Sequence, residues 1–312
     1  MNSCQNIALL GECMIELHGD AFGTMQQSYG GDTFNTAVYL SRCSGESLKV
    51  WYATALGDDT LSLAMLSRWA GDGLERGLVR CIPNRLPGIY QIEVDAQGER
   101  RFSFWRESSA ARAYFDIAVT PLEAQESSWD AFYFSGISLA ILPPEGRVRV
   151  FALAERLRRR DALVIFDNNY RPRLWDSVAS AREVFQRAFS VASTALITLD
   201  DHQTLFGYRT PGQALEPAYA LDCPEVVVKR GVASTLVRIG SAEPSAIPTT
   251  PVPRVVDTTA AGDSFAAAYM SRRLAGATAE DAATFGNLLA SRVIQHPGAI
   301  IPIEAMADLM SV

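Results

Sequence analysis

A chain of 312 residues, 48% hydrophobic and 20% charged, can bury a large core as one α/β domain or as two smaller ones. Its net charge of −7 argues against broad binding to nucleic acid or anionic membranes, so an anionic ligand must be met by locally placed cations. Five scattered cysteines without a C-x-x-C pair, three dispersed histidines and no apolar run of membrane-spanning length point to a cytoplasmic protein with reduced thiols and no zinc site. Residues 1–10 carry no basic region before their short apolar stretch and do not read as a signal peptide.

In chain order, residues 7–10 read as a buried strand. Residues 14–31, rich in glycine, polar and aromatic residues, break the rhythm, and Gly30-Gly-Asp-Thr-Phe-Asn35 then leads into a helical stretch at 36–41. Residues 50–55 form a second strand and 61–70 a helix. Residues 88–106 alternate at period two, with strands either side of a turn at 95–98, the pattern of a hairpin with one covered face. Buried strands follow at 131–135, 163–167, 195–199 and 226–229, with helical spacing at 145–160 and 179–189, a returning strand at 235–239 and a helix at 278–294. This alternation predicts a mostly parallel sheet covered on both faces, with a site along its carboxyl edge. A small sheet projecting from that body would serve as a lid or an oligomer contact, or be a plain edge hairpin.

Four stretches carry chemistry. Asp257-Thr-Thr-Ala-Ala-Gly-Asp263 combines a short polar turn, a glycine and a carboxylate opening a helix. Backbone N–H groups around Ala260, Ala261 and Gly262 would converge on an anion, leaving Asp263 within reach of a substrate hydroxyl; the bland alternative is a helix N-cap. Gly30 and Gly31 allow close backbone approach, with Asp32 and Asn35 able to bond neighbouring hydroxyls, or they form a tight capped turn. Arg171 and Arg173 leave the carboxyl end of the strand in Phe166-Asp-Asn-Asn-Tyr-Arg-Pro-Arg, and Arg106 ends the hairpin. Each arginine could grip a carboxylate or phosphate, or form a surface ion pair. Lys229-Arg-Gly231 closes a strand, facing nucleotide phosphates or forming an ordinary hairpin turn. Neither G-x-x-x-x-G-K-[ST] nor a strand-linked G-x-G-x-x-G occurs.

Together, Gly30-Gly31…Asn35, Lys229-x-Gly231 and Asp257…Gly262-Asp263 resemble the ribokinase-like (PfkB-type) carbohydrate kinase family, from about residue 6 to Pro302. Gly11-Glu-Cys-Met-Ile-Glu-Leu17, Asn84-Arg-Leu-Pro-Gly-Ile-Tyr90, Ser135-Gly-Ile-Ser-Leu-Ala-Ile-Leu142 and the string from Phe166 to Trp175 bring it nearest to the 2-keto-3-deoxygluconate kinases of that family. The resemblance implies a single three-layer α/β/α domain over residues 1–312 with a small β-sheet lid, built from about 14–31 and 86–108. It implies ATP-dependent phosphorylation of the sugar acid in an Entner–Doudoroff-linked route, with magnesium, and a homo-oligomer, a dimer through the lid or a higher assembly.

By the same resemblance Asp263 is the catalytic base and Ala260, Ala261 and Gly262 the anion hole. Gly31, Asn35, Tyr90, Phe104, Arg106 and Arg171 form the sugar-acid pocket, and Asn169, Lys229, Gly231, Ser234 and Asn287 contact the nucleotide. Where many relatives carry N-x-x-E this chain has Thr198-Leu-Asp-Asp201, so Asp201 is expected to reach magnesium through water. Asp257 and Thr259 match a monovalent-cation site, but Pro302 stands where a serine ligand is expected. A kinase for fructose or a related deoxy-keto acid, and a non-catalytic sugar-acid-binding regulator, are the competing readings.

Overall fold

The structure, a computed structural model, describes residues 4–20, 22–94 and 100–310. Short β-branched and aromatic runs form fourteen strands among these residues. They are β1 (Gln5–Leu10), β2 (Met14–Gly19), β3 (Met25–Gly30), β4 (Leu48–Leu56), β5 (Leu74–Glu75), β6 (Val79–Cys81) and β7 (Ile89–Val94). The series continues with β8 (Arg100–Trp105), β9 (Ala131–Ser135), β10 (Leu163–Asp167), β11 (Thr194–Thr198), β12 (Glu225–Arg230), β13 (Ala233–Ile239) and β14 (Ser245–Ile247).

Ten of them make one sheet in the order β14-β13-β12-β11-β10-β9-β1-β4-β5, with β6 also on β4. From β12 to β5 every pairing is parallel, while β13 and β14 add an antiparallel edge. Parallel strands need crossover helices, and those helices cover both faces of the sheet.

Alternation along each strand feeds two cores. Phe132 and Phe134 of β9 point to one, and Ala131 and Tyr133 to the other. Val226 and Val228 of β12 likewise oppose Val227. The first core is closed by the helices Pro144–Arg158, Val178–Val191, Leu199–Phe206 and Pro211–Tyr219. The second is closed by Asp32–Ser44, Thr60–Trp69, Ala261–Leu274 and Ala279–Val293. Their starts obey local chemistry: Asp59, Ser177 and Thr278 each accept a backbone N–H of the first helical turn. Among the described residues no helix is long and apolar enough to cross a membrane.

The second sheet runs β3-β2-β7-β8. The segment around 14–31, a break in the strand–helix rhythm and by resemblance part of the β-sheet lid, forms the antiparallel pair β2 and β3, and β2 joins the expected hairpin through a parallel pairing with β7. The hairpin turn at 95–98 lies outside the described residues. The first helix begins at Asp32, four residues before the expected stretch. The helices Leu199–Phe206 and Pro211–Tyr219 had no counterpart in the sequence reading.

The ring of Phe166 is fully buried, with Phe134, Phe185 and Phe189 centroids at 5.3, 5.5 and 5.2 Å. Phe166→Ala should therefore cost about 3–5 kcal/mol. Phe102→Ala, at a ring 39% exposed on the second sheet, should cost less than about 1 kcal/mol. Urea unfolding with an unchanged slope checks both; equal losses would place Phe166 outside the core.

Candidate active site

The parallel register sets the ends of four neighbouring strands in a row: Ser135 on β9, Asp167 on β10, Thr198 on β11 and Lys229 on β12. The helices Asp32–Ser44 and Ala261–Leu274 start against the same edge, and β2, β7 and β8 face it from the second sheet. Between the two sheets lies a cleft of about 1090 Å³. Its wall includes Asp263, Asn35, Lys229, Asn169, Arg171 and Asp201 from the body, and Met14, Tyr90, Phe102 and Phe104 from the second sheet. This is the placement expected for a ligand at the carboxyl edge of an open α/β sheet.

Asp263 occupies the first turn of its helix without capping it. The preceding Ala260 holds a left-handed backbone at φ 59°, and no side chain caps the helix start. Left-handed backbone is costly for alanine, so this turn stores strain beside the carboxylate. Ala261 N–H closes the turn onto Thr258 O at 3.2 Å. Gly262, the next residue of the expected anion hole, lines the cleft. A Cβ on Gly262 would stand 3.6 Å from Lys229 Nζ, which places the ammonium directly over this turn.

Half-buried Asp263 accepts from Asn35 Nδ2 at 2.9 Å. Burial pushes its carboxyl up to about 8, and the negative charges of Asp32 and Asp167 add to the effect against Asn35 and Lys229. A proton acceptor tuned towards neutrality is a stronger base than an ordinary aspartate.

The remaining expected residues divide between the cleft and its supports. Gly31 lies on the wall in an extended backbone, and a Cβ there would meet Glu12 O at 2.1 Å. Tyr90 stacks on Phe104 with centroids 6.0 Å apart and donates its hydroxyl to Glu16. Asn169 donates to Asp32 Oδ2 at 2.8 Å. Arg171 pairs with Asp201 at 3.1 Å, which joins the expected sugar-acid and metal residues to each other. Lys229 pairs with Asp167 at 2.9 Å.

Arg106 sits behind the wall, its Nε 2.8 Å from Glu12 Oε2 in a buried ion pair. Gly231 lies in the β12–β13 turn at φ 60°, and Ser234 follows on β13 with its carbonyl accepting from Arg230. The Asn287 amide is spent on Thr235 Oγ1 at 2.8 Å and Pro248 O at 3.0 Å. These three stand off the wall defined by Asp263 and Lys229.

Asp257 braces the signature. One oxygen accepts from Thr259 N and Oγ1 at 3.0 and 2.7 Å, the other from Gly298 N at 2.7 Å. One oxygen thus closes the turn on itself, and the other ties it to the C-terminal loop.

Sequence reasoning passed over Asp167, Glu12 and the contacts of Asp32. Asp167 could have been found: an aspartate ending a buried strand must have a partner. Glu12 stands in the quoted Gly11-Glu-Cys string, but nothing local pairs it with a residue of the hairpin.

The family model described as pfkB family carbohydrate kinase matches residues 5–306. The chain is 44% identical over 306 residues to the 2-dehydro-3-deoxygluconokinase of Dickeya dadantii, covering 97% of this chain and 98% of that one. It is equally similar to the 2-dehydro-3-deoxygluconokinase of Escherichia coli K12, at 44% over 306 residues and 97% and 99% of the two chains. The crystal structure of 2-dehydro-3-deoxygluconokinase from Thermotoga maritima superposes with a TM-score of 0.81 over 99% of this chain and all of that one, at 21% identity, which speaks for the fold. On the strength of a match that spans nearly every residue of both sheets and of the helices that open onto the cleft, the chain belongs to the pfkB family of carbohydrate kinases.

Proposed function

We propose that the protein transfers the γ-phosphoryl group of ATP to the terminal hydroxyl of 2-keto-3-deoxygluconate, giving 2-keto-3-deoxy-6-phosphogluconate. The observation that carries this reading is Asp263: a carboxylate at a helix start, fixed by Asn35, in a cleft that also holds Lys229 and Arg171. Asp263 takes the hydroxyl proton as the sugar oxygen bonds to the γ-phosphorus. The bond to the β-phosphate bridging oxygen breaks, and ADP leaves. A loose transition state asks for positioning and charge stabilisation more than for covalent help. Gly262 N–H and Lys229 supply the latter. Arg171, with Arg101 and Arg173 on the same wall, accounts for an acid substrate, because a neutral sugar offers a guanidinium nothing comparable.

Asp167 and Asp201 both line the cleft, matching the one or two carboxylates that a phosphate-carried magnesium uses. Asp201, already engaged by Arg171, would reach such an ion through water, and the ion would neutralise phosphate charge. Residues 14–31 and 86–108 act as the lid of a single domain, whose closure excludes water. Trp105, 55% exposed on that sheet, supports the lid as a dimer contact, and five free cysteines support a cytoplasmic setting.

Coupled ADP release should show kcat/KM for 2-keto-3-deoxygluconate about tenfold or more above fructose and ribose, the worth of one charge-assisted contact. A neutral sugar preferred over the acid would overturn the substrate assignment.

Asp263→Asn should lower kcat by about 10²–10⁴-fold while keeping ligand binding. It should also change how stability depends on pH. The native carboxyl is raised from 3.8 to about 8, so its contribution is present at low pH and lost as pH rises through 8. The asparagine variant should therefore gain in Tm relative to wild type between pH 5 and pH 9; a pH-independent difference would refute the raised carboxyl.

Arg171→Ala should raise KM for the sugar acid more than for ATP, and Arg171→Lys should recover little of it, since lysine lacks the planar fork. The opposite split would move Arg171 to the nucleotide.

A further inference from the structure

Asp32 and Asn35 lie one turn apart on the same helix and reach different parts of the cleft. Asn35 holds Asp263. Asp32 Oδ2 accepts from Ser135 Oγ at 2.5 Å, at the end of β9, and from Asn169 Nδ2 at 2.8 Å, just beyond β10. Helix capping does not explain these bonds: Gly31 is the cap residue, and no side chain caps this helix.

Asn169 has a backbone φ of 24°, outside the range most residues tolerate. The strained turn is tied on one side by Asn168, whose amide bonds Thr198 N and O at 2.8 and 3.0 Å across to β11. On the other side it is held by the Asp32 carboxylate through the Asn169 side chain and by Asp201, which accepts from Tyr170 N at 3.2 Å. Ser135 is fixed in turn, because its hydroxyl also accepts from Ser138 N at 3.1 Å. Asp32 therefore joins the first helix, β9 and the turn after β10 at one oxygen atom.

We propose that Asp32 is a positioning residue for phosphoryl transfer: its carboxylate locks Asn169 in place for the nucleotide, and its charge faces Asp263 from the helix turn that holds that base. The proposal rests on the kinase reading above, with Asn169 on the nucleotide side. The charged and titratable groups facing Asp263 are Asp32 on the first helix, Asp167 on β10 and Lys229 on β12. Tyr39, Tyr90 and Tyr133 also feel its charge, and Arg106 faces Asp32. After burial, Asp32 is the largest influence raising Asp263.

The test measures Mg-ATP binding by calorimetry in wild type, Asp32→Ala, Asp32→Asn, Asn169→Ala and the Asp32→Ala/Asn169→Ala double variant. Asp32→Ala should weaken ATP about tenfold, the worth of a lost charged hydrogen bond. Asp32→Asn, whose amide oxygen can accept the same two bonds, should come within about threefold of wild type. Adding Asp32→Ala to Asn169→Ala should cost less than about twofold more, because the two act as a unit. Unchanged ATP affinity in Asp32→Ala, or full additivity in the double variant, overturns the proposal.

If Asp32→Ala does not fold, the pH profile of Asp32→Asn decides. Removing the negative charge should move the acid limb of kcat down by about half to one pH unit; an unmoved limb overturns the proposal. ATP binding is independent of which sugar is used. Wild type without turnover on 2-keto-3-deoxygluconate, but with the Asp32 effect on ATP intact, would sink the substrate reading and leave this one standing.

Discussion

The hydrogen bond from Asn35 to Asp263 joins residues 228 positions apart, and the geometry of the site hangs on it. It exists because the first helix and the Ala261–Leu274 helix pack side by side under the sheet edge. Both carry small, fully buried residues, Ala37 in one and Ala266, Ala267 and Ala268 in the other. Small side chains let the two backbones approach closely, so two helix starts open onto the same edge. The alanine-rich run after Asp263 is thus a packing requirement whose result is chemical. A bulkier side chain there would wedge the helices apart and separate the base from its holder.

Three cations in or behind the cleft wall have carboxylate partners. Lys229 is matched to Asp167, Arg171 to Asp201 and Arg106 to Glu12. In a protein of net charge −7 this is how cations can be kept beside a cleft without a large desolvation penalty. At Lys229 and Arg171 an anionic ligand meets groups that already have partners, and must offer them better geometry than those partners do. Arg171 is half exposed, with 51% of its side chain accessible, and is the easiest to redirect; Arg106, at 8%, is the hardest.

Much of this was legible from residue order. Buried strands such as β9 and β10 announce themselves through short apolar runs, and both were found with their observed ends. Asp263 and its glycine were legible because a helix start is a local event. The pairings were not. Glu12 with Arg106, Asp32 with Asn169 and Asp167 with Lys229 are 94, 137 and 62 positions apart, and no local periodicity encodes them. β3 was hidden for another reason: Gln26, Gln27 and Ser28 are exposed, so the strand shows no buried face to read. Asn287 illustrates the converse, since a polar residue on a helix can serve a neighbouring strand as readily as a ligand.

The position of β1 carries a consequence for how the protein is made. Of the strands described, the one earliest in the sequence is among the innermost, with Ile7 paired to Val50 on one edge and to Ala131 on the other. Its second edge stays open until β9 has been synthesised, and the helices that close the first core over Ala8 and Leu10 come later still. Parallel pairing of this kind is slow to form, and an open apolar edge is prone to association with other chains. The central placement of β1 therefore leaves the nascent chain in need of shielding until β9 has been made.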